Sequence, residues 1–378
     1  MMKQLQKIFL GLIISLGATS VLAQGNSGIL SMGSLEFNPD GILFIGDSKG
    51  GAVYAFDLNE SSVNVDDKNV RIADLEGKIA ALLGTTKEEI LIHDMAVNPV
   101  SHNIFLSVSR GRGKWTSQWH LPNDLMDASI LLRIDPEGNM EEASLENIDY
   151  SKVELPNPVD ESKTHKWKEG IQLRVDAITQ IVYNNGIVYV AGLSNEEFAS
   201  TMWVAPYPFK DNITATTLEI YHGAHGEYET HAPIRTFLPY TINQQAHLLA
   251  AYLCTPLVTF PTAQLENKKH IKGRTVAEFG SGNYPLDMLL YQNQGKDLIL
   301  MSNSQLPLLI FDPKDVEAYQ GEITEEVKGY MAGVKYTPRS GSGIQQLDDF
   351  NNKFILATQR MASGSMYLIS LPKEWLMQ

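Results

Sequence analysis

A repeated pattern of short strands separated by turns is the feature that most constrains the fold. The clearest unit spans residues 33–58, where an Asn-Pro-Asp-Gly turn and a Gly-Gly turn separate three strand-like segments. A fourth strand is expected at 69–75, NVRIADL. Helical periodicity is nearly absent elsewhere. The pattern therefore predicts an all-β protein built from antiparallel units of four strands.

The same unit returns along the chain, and its second strands begin near residues 42, 103, 187, 247, 297 and 354. Four-stranded repeats at intervals of roughly 50 to 85 residues close radially into a propeller. We therefore predict a single β-propeller domain over residues 24–378. Six blades are favoured, and seven result if the 109–170 insertion contains a further blade. The last unit lacks a fourth strand, which segment 27–33, SGILSMG, is expected to supply from the N-terminal end.

One helix is predicted within DLEGKIAALLGTTKEEI, residues 74–90. Ile79, Leu82 and Leu83 are spaced for one helical face, and Gly84 is a stop signal.

The first 23 residues have the organisation of a cleaved secretory signal peptide. Lys3 and Lys7 precede a short apolar run, and Val21-Leu22-Ala23 forms a small-residue cleavage site. The apolar run is too short to span a bilayer. We therefore expect a periplasmic or secreted protein, without membrane insertion, that begins at Gln24.

Net charge limits the expected partners, and the cysteine count limits how the fold can be stabilised. Without the two lysines of the signal peptide the chain has 28 basic and 44 acidic side chains, a formal charge of −16. Nucleic acids and anionic membranes both select basic patches, so neither is an expected partner. The single cysteine, Cys254, excludes an intramolecular disulfide, so stability must come from the hydrophobic core.

One polar residue recurs near the start of each first strand. Alignment of the six strands by their turns places there Ser34, Asp94, Asp176, Arg235, Asp287 and Gln345. First strands line the channel of a propeller, so these side chains are expected at one channel mouth. Clustered carboxylates recruit cations, and their oxygens suit calcium. The three aspartates are thus predicted metal ligands, with His93 beside them, and Ser34, Arg235 and Gln345 are predicted to bind a ligand. The alternative is a solvated, salt-bridged channel lining.

The segment YHGAHGEYETHAPIRTF, residues 221–237, holds three of the nine histidines. It is expected to cross one face of the propeller from an outer strand to the next inner strand. Two or three converging imidazoles and a carboxylate would form a transition-metal site, and the predicted ligands are His222, His225 and His231 with Glu229. The spacing of the first two histidines suits zinc or copper on a helix or tight turn. The two glycines of the segment instead predict a flexible loop of hydrogen-bonding histidines.

Several stretches resemble known bacterial propellers. LEFNPDGILFIGDSKGGAVYAFDL is similar to blades of the quinoprotein-like and YVTN-type proteins. IHDMAVNPVSHNIFLSVSRGRG and EIYHGAHGEYETHAPIRTF more closely resemble a group of exported bacterial propeller proteins. This resemblance implies an exported propeller and brings no activity with it. Quinone sites of the first class use a tryptophan platform and often a vicinal disulfide, which this sequence lacks, so no quinone cofactor is expected.

Three functions remain open from the sequence. The first is a ligand- or protein-binding module of the cell envelope, which presents the loops 110–128, 155–170 and 222–231 to a protein or small-molecule partner. The second is a metal-dependent hydrolase or lactonase, in which His93 or His231 acts as general base. The third is a metal-handling or redox accessory protein that uses the histidine segment.

Overall fold

The structure is a computed structural model. It describes residues 28–110, 129–166, 172–210, 212–253, 256–329 and 331–377. The predicted signal peptide, Cys254 and all but the first residue of the loop 110–128 lie outside these ranges.

Short strands account for most of the regular structure. Residues 28–166 contain the strands β1 (Leu35–Phe37), β2 (Ile42–Asp47), β3 (Ala52–Asp57), β4 (Arg71–Ile72), β5 (Ile90–Val97), β6 (Ile104–Arg110), β7 (Ser129–Ile134), β8 (Met140–Glu142) and β9 (Tyr150–Glu154). The middle strands are β10 (Gln180–Asn184), β11 (Ile187–Leu193), β12 (Ser200–Pro206), β13 (Thr214–His222), β14 (Glu227–Glu229), β15 (Ile234–Ile242), β16 (Gln245–Tyr252), β17 (Pro256–Pro261), β18 (Lys269–Lys272) and β19 (Arg274–Glu278). The last strands are β20 (Pro285–Asn293), β21 (Lys296–Asn303), β22 (Leu308–Phe311), β23 (Ala332–Gly333), β24 (Thr337–Arg339), β25 (Ile344–Asp349), β26 (Phe354–Arg360) and β27 (Met366–Pro372).

Two α-helices are described, α1 (Leu75–Leu83) and α2 (Pro313–Ala318). The first confirms the predicted helix. It ends where Gly84 adopts a left-handed φ of 66°, a conformation that glycine reaches without strain. No described helix has the length and apolar character needed to cross a membrane.

The strands form a six-bladed propeller of antiparallel, four-stranded sheets, which confirms the predicted fold. In order around the ring, with the inner strand first, the blades are I (β5-β6-β7-β8), II (β1-β2-β3-β9), III (β10-β11-β12-β13), IV (β15-β16-β17-β19), V (β20-β21-β22-β24) and VI (β25-β26-β27-β4). Contacts between inner strands close this ring from VI back to I. Additional pairing adds β14 and β18 to the outer strand of III, and β23 to that of IV.

The chain does not follow the ring at its start. It first forms three strands of blade II, then supplies β4 to blade VI, builds blade I, and returns with β9 to complete blade II. Blade VI is thus closed by a strand from the N-terminal region, as predicted, but that strand is Arg71–Ile72. The assignment of 69–75 to the first unit and of 27–33 to the closing strand was wrong. Described residues 28–33 form no strand, and the amides of Leu30 and Ser31 instead bind the Asp47 carboxylate.

The hydrophobic core is divided among the six blade interfaces. Each of the six main clusters of buried apolar side chains joins two neighbouring blades, for example Phe44 and Val53 of blade II with Val190 and Trp203 of blade III. Both faces of every sheet are therefore covered, which explains why β2 and the middle of β21 have continuous apolar runs rather than an alternating pattern.

Candidate functional site

The inner strands carry a repeated hydrogen-bonding position at the channel. The strand-pairing register places six residues at equivalent points, opposite a small residue of the second strand: Ser34, Asp94, Gln180, Thr236, Asp287 and Gln346. Four of them, Ser34, Asp94, Gln180 and Asp287, accept a hydrogen bond from a backbone amide of the next blade. The position therefore joins neighbouring blades around the channel.

The predicted polar ring agrees with this register at Ser34, Asp94 and Asp287 only. Arg235 and Gln345 lie one residue early, because each is the inserted residue of a β-bulge and the equivalent residue follows it. Blades I and V have the same bulge, but there the predicted aspartate is the residue after the insertion. A bulge redirects the inserted side chain. Asp176 lies four residues before Gln180, in a 3-10 turn that precedes β10. The alignment by turns could not detect these offsets.

The two aspartates of the ring bind backbone amides in the same way. Asp94 accepts from its own neighbour Met95 and from Leu35 of blade II, both at 2.8 Å. Asp287 accepts from Met288 at 2.8 Å and from Leu347 of blade VI at 2.7 Å. Each carboxylate thus uses both oxygens to hold two blades together.

Two further carboxyls in the channel were missed from the sequence. Asp348 accepts the Val97 amide of blade I at 2.6 Å, and Glu36 accepts the Tyr183 amide of blade III at 3.1 Å. Both lie two residues beyond the repeated position, on the same side of their strands. Because side chains on one face of a strand recur every second residue, this spacing could have predicted both carboxyls from the sequence.

The four channel carboxyls are enclosed by protein and repel one another. Burial raises the pKa of Asp94 to about 6 and that of Asp348 to about 7. Burial also raises the pKa of Asp287 and Glu36 well above the usual range, and the charges of neighbouring carboxylates add to the effect. A protonated carboxyl near neutral pH lowers the repulsion in this narrow channel.

The predicted calcium ligands do not converge. Among the described residues, the ligand atoms of Asp94, Asp176 and Asp287 form no group within 4.8 Å of one another. His93 also lies outside such a group; its Nε2 lies 2.6 Å from Ser109 Oγ. Calcium binding at the channel therefore stays a prediction without a geometric basis.

Asp176 and Arg235 do meet, with a histidine that the sequence did not indicate. Arg235 Nη1 lies 3.2 Å from Asp176 Oδ1, and His165 Nε2 lies 3.2 Å from Asp176 Oδ2. The three side chains lie at the boundary between blades III and IV, near the start of the inner strands.

The one group of described residues with the geometry of a metal centre is His222, His225 and Glu229. One ligand atom from each lies within 4.8 Å of the others. His222 Nδ1 is 2.6 Å from Glu229 Oε2, and the two imidazole centroids are 4.0 Å apart. Two imidazoles and a carboxylate are donors that suit zinc or copper.

A short β-hairpin brings these residues together. Strands β13 and β14 pair with Ile220 opposite Glu229, which places the glutamate diagonally beside His222 on one face. The amides of His225 and Gly226 both donate to the His222 carbonyl, at 3.0 and 2.9 Å. Gly226 has a φ of 69°, which permits the tight turn.

The predicted loop is thus a paired hairpin, and the His-x-x-His spacing occurs in its tight turn. His231 does not join the cluster; its Nδ1 lies 2.9 Å from Thr230 Oγ1, and its side chain is exposed. His222 is 2% exposed, whereas Glu229 is 30% exposed and His225 faces solvent. The centre thus has a buried and an open side.

Buried polar groups of blade IV lie beside the hairpin. Glu278 Oε1 accepts the Gly223 amide at 2.6 Å, and a Cβ on Gly223 would lie only 3.0 Å from Glu278. Among the described residues, Glu278 Oε2 and the Tyr252 hydroxyl have no hydrogen-bond partner. Burial raises the pKa of Glu278 to about 7 against the opposing effect of His222, and raises that of Tyr252 near Glu229. Sequence patterns did not indicate these residues, since they come from two separate strands.

Comparisons with known proteins identify no family for this chain. The sequence matches no protein-family model and no curated protein sequence. A chain of the mitotic checkpoint complex is similar over 97% of this chain and 99% of its own length, at 8% identity and a TM-score of 0.33. A putative oxidoreductase (glucose dehydrogenase) from Thermus thermophilus is similar over 93% and 98%, at 10% identity and a TM-score of 0.30. Similarities this weak say nothing about activity. The fold and the site define a six-bladed propeller with a histidine–carboxylate hairpin.

Proposed function

We propose that this protein is an exported propeller that binds one transition-metal ion, zinc or copper, on the hairpin of blade III. The observation that carries the proposal is the convergence of His222, His225 and Glu229 within 4.8 Å. The fold supports a binding or enzyme-like module, and the predicted signal peptide supports a location in the periplasm or outside the cell. The protein would act there as a metal-binding module of the cell envelope.

The local structure supports metal binding because the hairpin is already held in place. The Tyr221 carbonyl accepts from Thr275 Oγ1 at 2.7 Å, and the Gly223 carbonyl accepts from the Val327 amide at 2.9 Å. Zinc–nitrogen bonds are about 2.1 Å long. The three side chains therefore need only rotamer adjustments to close on an ion, while the backbone remains fixed.

The test is metal stoichiometry and affinity of the mature chain without a histidine tag. We expect one zinc or copper per chain after equilibration and gel filtration, measured by elemental mass spectrometry. His222→Ala and His225→Ala should each weaken binding by about 100-fold or more, since each removes a direct ligand. His231→Ala is the matched control and should bind as the parent does. Equal stoichiometry in the His222→Ala variant would contradict the proposal.

A metal-dependent hydrolase is the second candidate, and Glu278 favours it. Catalytic zinc sites keep three protein ligands and one open position, which matches the ligand number here. A carboxylate beside the ion acts as general base on metal-bound water in such sites. Zinc-loaded protein should then hydrolyse chromogenic esters, and Glu278→Gln should lower kcat by about 100-fold with zinc still bound. Absence of turnover by the zinc-loaded parent would leave the binding function alone.

A further inference from the structure

A second polar cluster, separate from the hairpin, lies at the channel mouth. Asp176 uses one oxygen for Arg235 and the other for His165, each at 3.2 Å. The Asp176 side chain is 17% exposed, and the Arg235 side chain is 38% exposed. One partly buried carboxylate thus positions a guanidinium group and an imidazole at an accessible surface.

The fold fixes each member of this cluster independently. Arg235 is the inserted residue of the β15 bulge, and Asp176 ends the 3-10 turn before β10. His165 lies on the segment after β9, which Arg174 attaches to blade II. The Arg174 guanidinium donates to the carbonyls of Ser48 at 2.7 Å, Lys49 at 3.0 Å and Val159 at 2.7 Å. The site is therefore prearranged.

Arg235 retains donors for a ligand. Its contact with Asp176 uses Nη1 alone, and the described residues provide no other hydrogen-bond acceptor for it. A guanidinium offers five N–H donors in a planar fork that matches a carboxylate. His165 Nε2 contacts the other Asp176 oxygen at 3.2 Å, so the carboxylate is held from two sides and fixes the position of the guanidinium. The remaining Arg235 donors can therefore contact an anion.

The surroundings select a small anion of low charge. The corresponding bulge residues of blades I, V and VI are His93, Leu286 and Gln345, none of which is acidic. The channel, in contrast, contains carboxyls of four inner-strand residues, and those that are ionised repel anions from its interior. Asp176 already neutralises part of the Arg235 charge. A monocarboxylate suits this balance better than phosphate, part of which is a dianion at neutral pH.

We propose that the channel mouth binds a small monocarboxylate anion on the Arg235 guanidinium, which Asp176 and His165 hold in place. The anion accepts hydrogen bonds from the free edge of the guanidinium, while Asp176 holds both protein groups in position. This site needs no metal, so its test is independent of the hairpin.

The test is saturation-transfer NMR of the full mature chain with acetate, and with acetamide as the uncharged isostere. We expect transfer to acetate and at least tenfold less to acetamide. Arg235→Gln should weaken acetate binding at least tenfold. Arg71→Gln is the matched control, because Arg71 is an exposed arginine on the outer strand of blade VI, and it should bind as the parent does. Circular dichroism melts of both variants check that each is folded.

Three results would overturn the proposal. The first is no transfer to acetate in the folded parent protein. The second is equal acetate binding by the parent and a folded Arg235→Gln variant. The third is Arg235-dependent binding of inorganic phosphate that is tighter than acetate binding, which would replace the monocarboxylate by a more highly charged anion.

Discussion

At the scale of single residues, the channel side chains act first as connectors between blades. Asp94 and Asp287 each accept two backbone amides, one from the neighbouring blade. A buried carboxylate that accepts amide hydrogen bonds satisfies donors that the ring geometry would otherwise leave unpaired. Their position in the channel therefore has a structural cause that requires no bound ion.

The raised pKa values of these carboxyls predict how stability depends on pH. A carboxyl whose pKa is higher in the folded state binds a proton there that the unfolded chain has released. Stability then decreases as pH rises through that interval. For Asp94 the interval runs from its ordinary pKa of 3.8 to about 6, and for Asp348 from 3.8 to about 7. Above these values the loss is complete and constant.

We therefore expect Asp94→Asn to become more stable relative to the parent as pH rises from 5 to 8. The Asn side chain keeps one acceptor oxygen and loses the other, which is a loss of stability that does not depend on pH. Because the Asn side chain has no charge, the stability of the variant relative to the parent should rise between pH 5 and pH 8 by on the order of 1–2 kcal/mol. Denaturant melts at the two pH values measure it. Asp297→Asn, at an exposed carboxylate of blade V, is the control; a pH-independent difference for Asp94→Asn would contradict the assignment.

The sequence located part of the channel ring, and the β-bulges explain the rest. Ser34, Asp94 and Asp287 follow from the turn-to-turn alignment. Arg235 and Gln345 are inserted residues of bulges, and the equivalent residues Thr236 and Gln346 follow them. Both residues of each pair are polar, so the local sequence does not show which one takes the equivalent position. Pairing with a side chain distant in sequence, as between His165 and Asp176, is set by tertiary structure alone.

At the scale of elements, the two-residue strand β4 closes the ring. Its residues pair with Leu368 and Ile369 of β27, and the Ser370 amide donates to the Val70 carbonyl at 2.9 Å. Ile72 is buried in the interface of blades VI and I, whereas Arg71 is exposed. A pattern this short resembles many turns, so the sequence assigned it to the wrong blade.

Ile72→Ala should destabilise the protein by about 2–4 kcal/mol, since it removes buried methyl groups at the closing strand. Arg71→Ala, the adjacent position on the exposed side, should change the free energy of unfolding by less than about 1 kcal/mol. Urea unfolding monitored by tryptophan fluorescence compares the two. Similar losses in both variants would show that β4 is not packed as described.

For the hairpin of β13 and β14, the sequence predicted the clustered residues correctly but predicted a loop in place of two paired strands. His222, His225 and Glu229 were proposed from their composition and spacing. The two glycines indicated flexibility, but the turn is fixed by hydrogen bonds from two amides to the His222 carbonyl. Glycine marks both flexible loops and tight turns, so only the paired strands distinguish these outcomes.

At the scale of the whole molecule, the ring has two non-local closures instead of one. Strands β9 and β4 complete blades II and VI, which flank blade I on either side. The early chain is thereby fastened at three consecutive blades. The fold class and the number of blades were predictable from the repeat, because six similar units require six similar sheets. The path of the chain was not, because identical blades can exchange outer strands without changing the pattern.

Both candidate sites belong to blades III and IV. The hairpin follows the outer strand of III, and Arg235 lies in the inner strand of IV that the same segment enters. The short segment between them, residues 230–233, thus connects the candidate metal site to the channel mouth. We propose that the hairpin, and not the pair of channel aspartates, binds the metal ion.

Anomalous diffraction from crystals of the mature protein equilibrated with zinc tests this claim most directly. We expect one strong peak of anomalous density at the zinc edge, about 2.1 Å from imidazole nitrogens of His222 and His225, with Glu229 as the oxygen ligand. A peak between Asp94 and Asp287 in the channel, or no ordered peak at the hairpin, would contradict it.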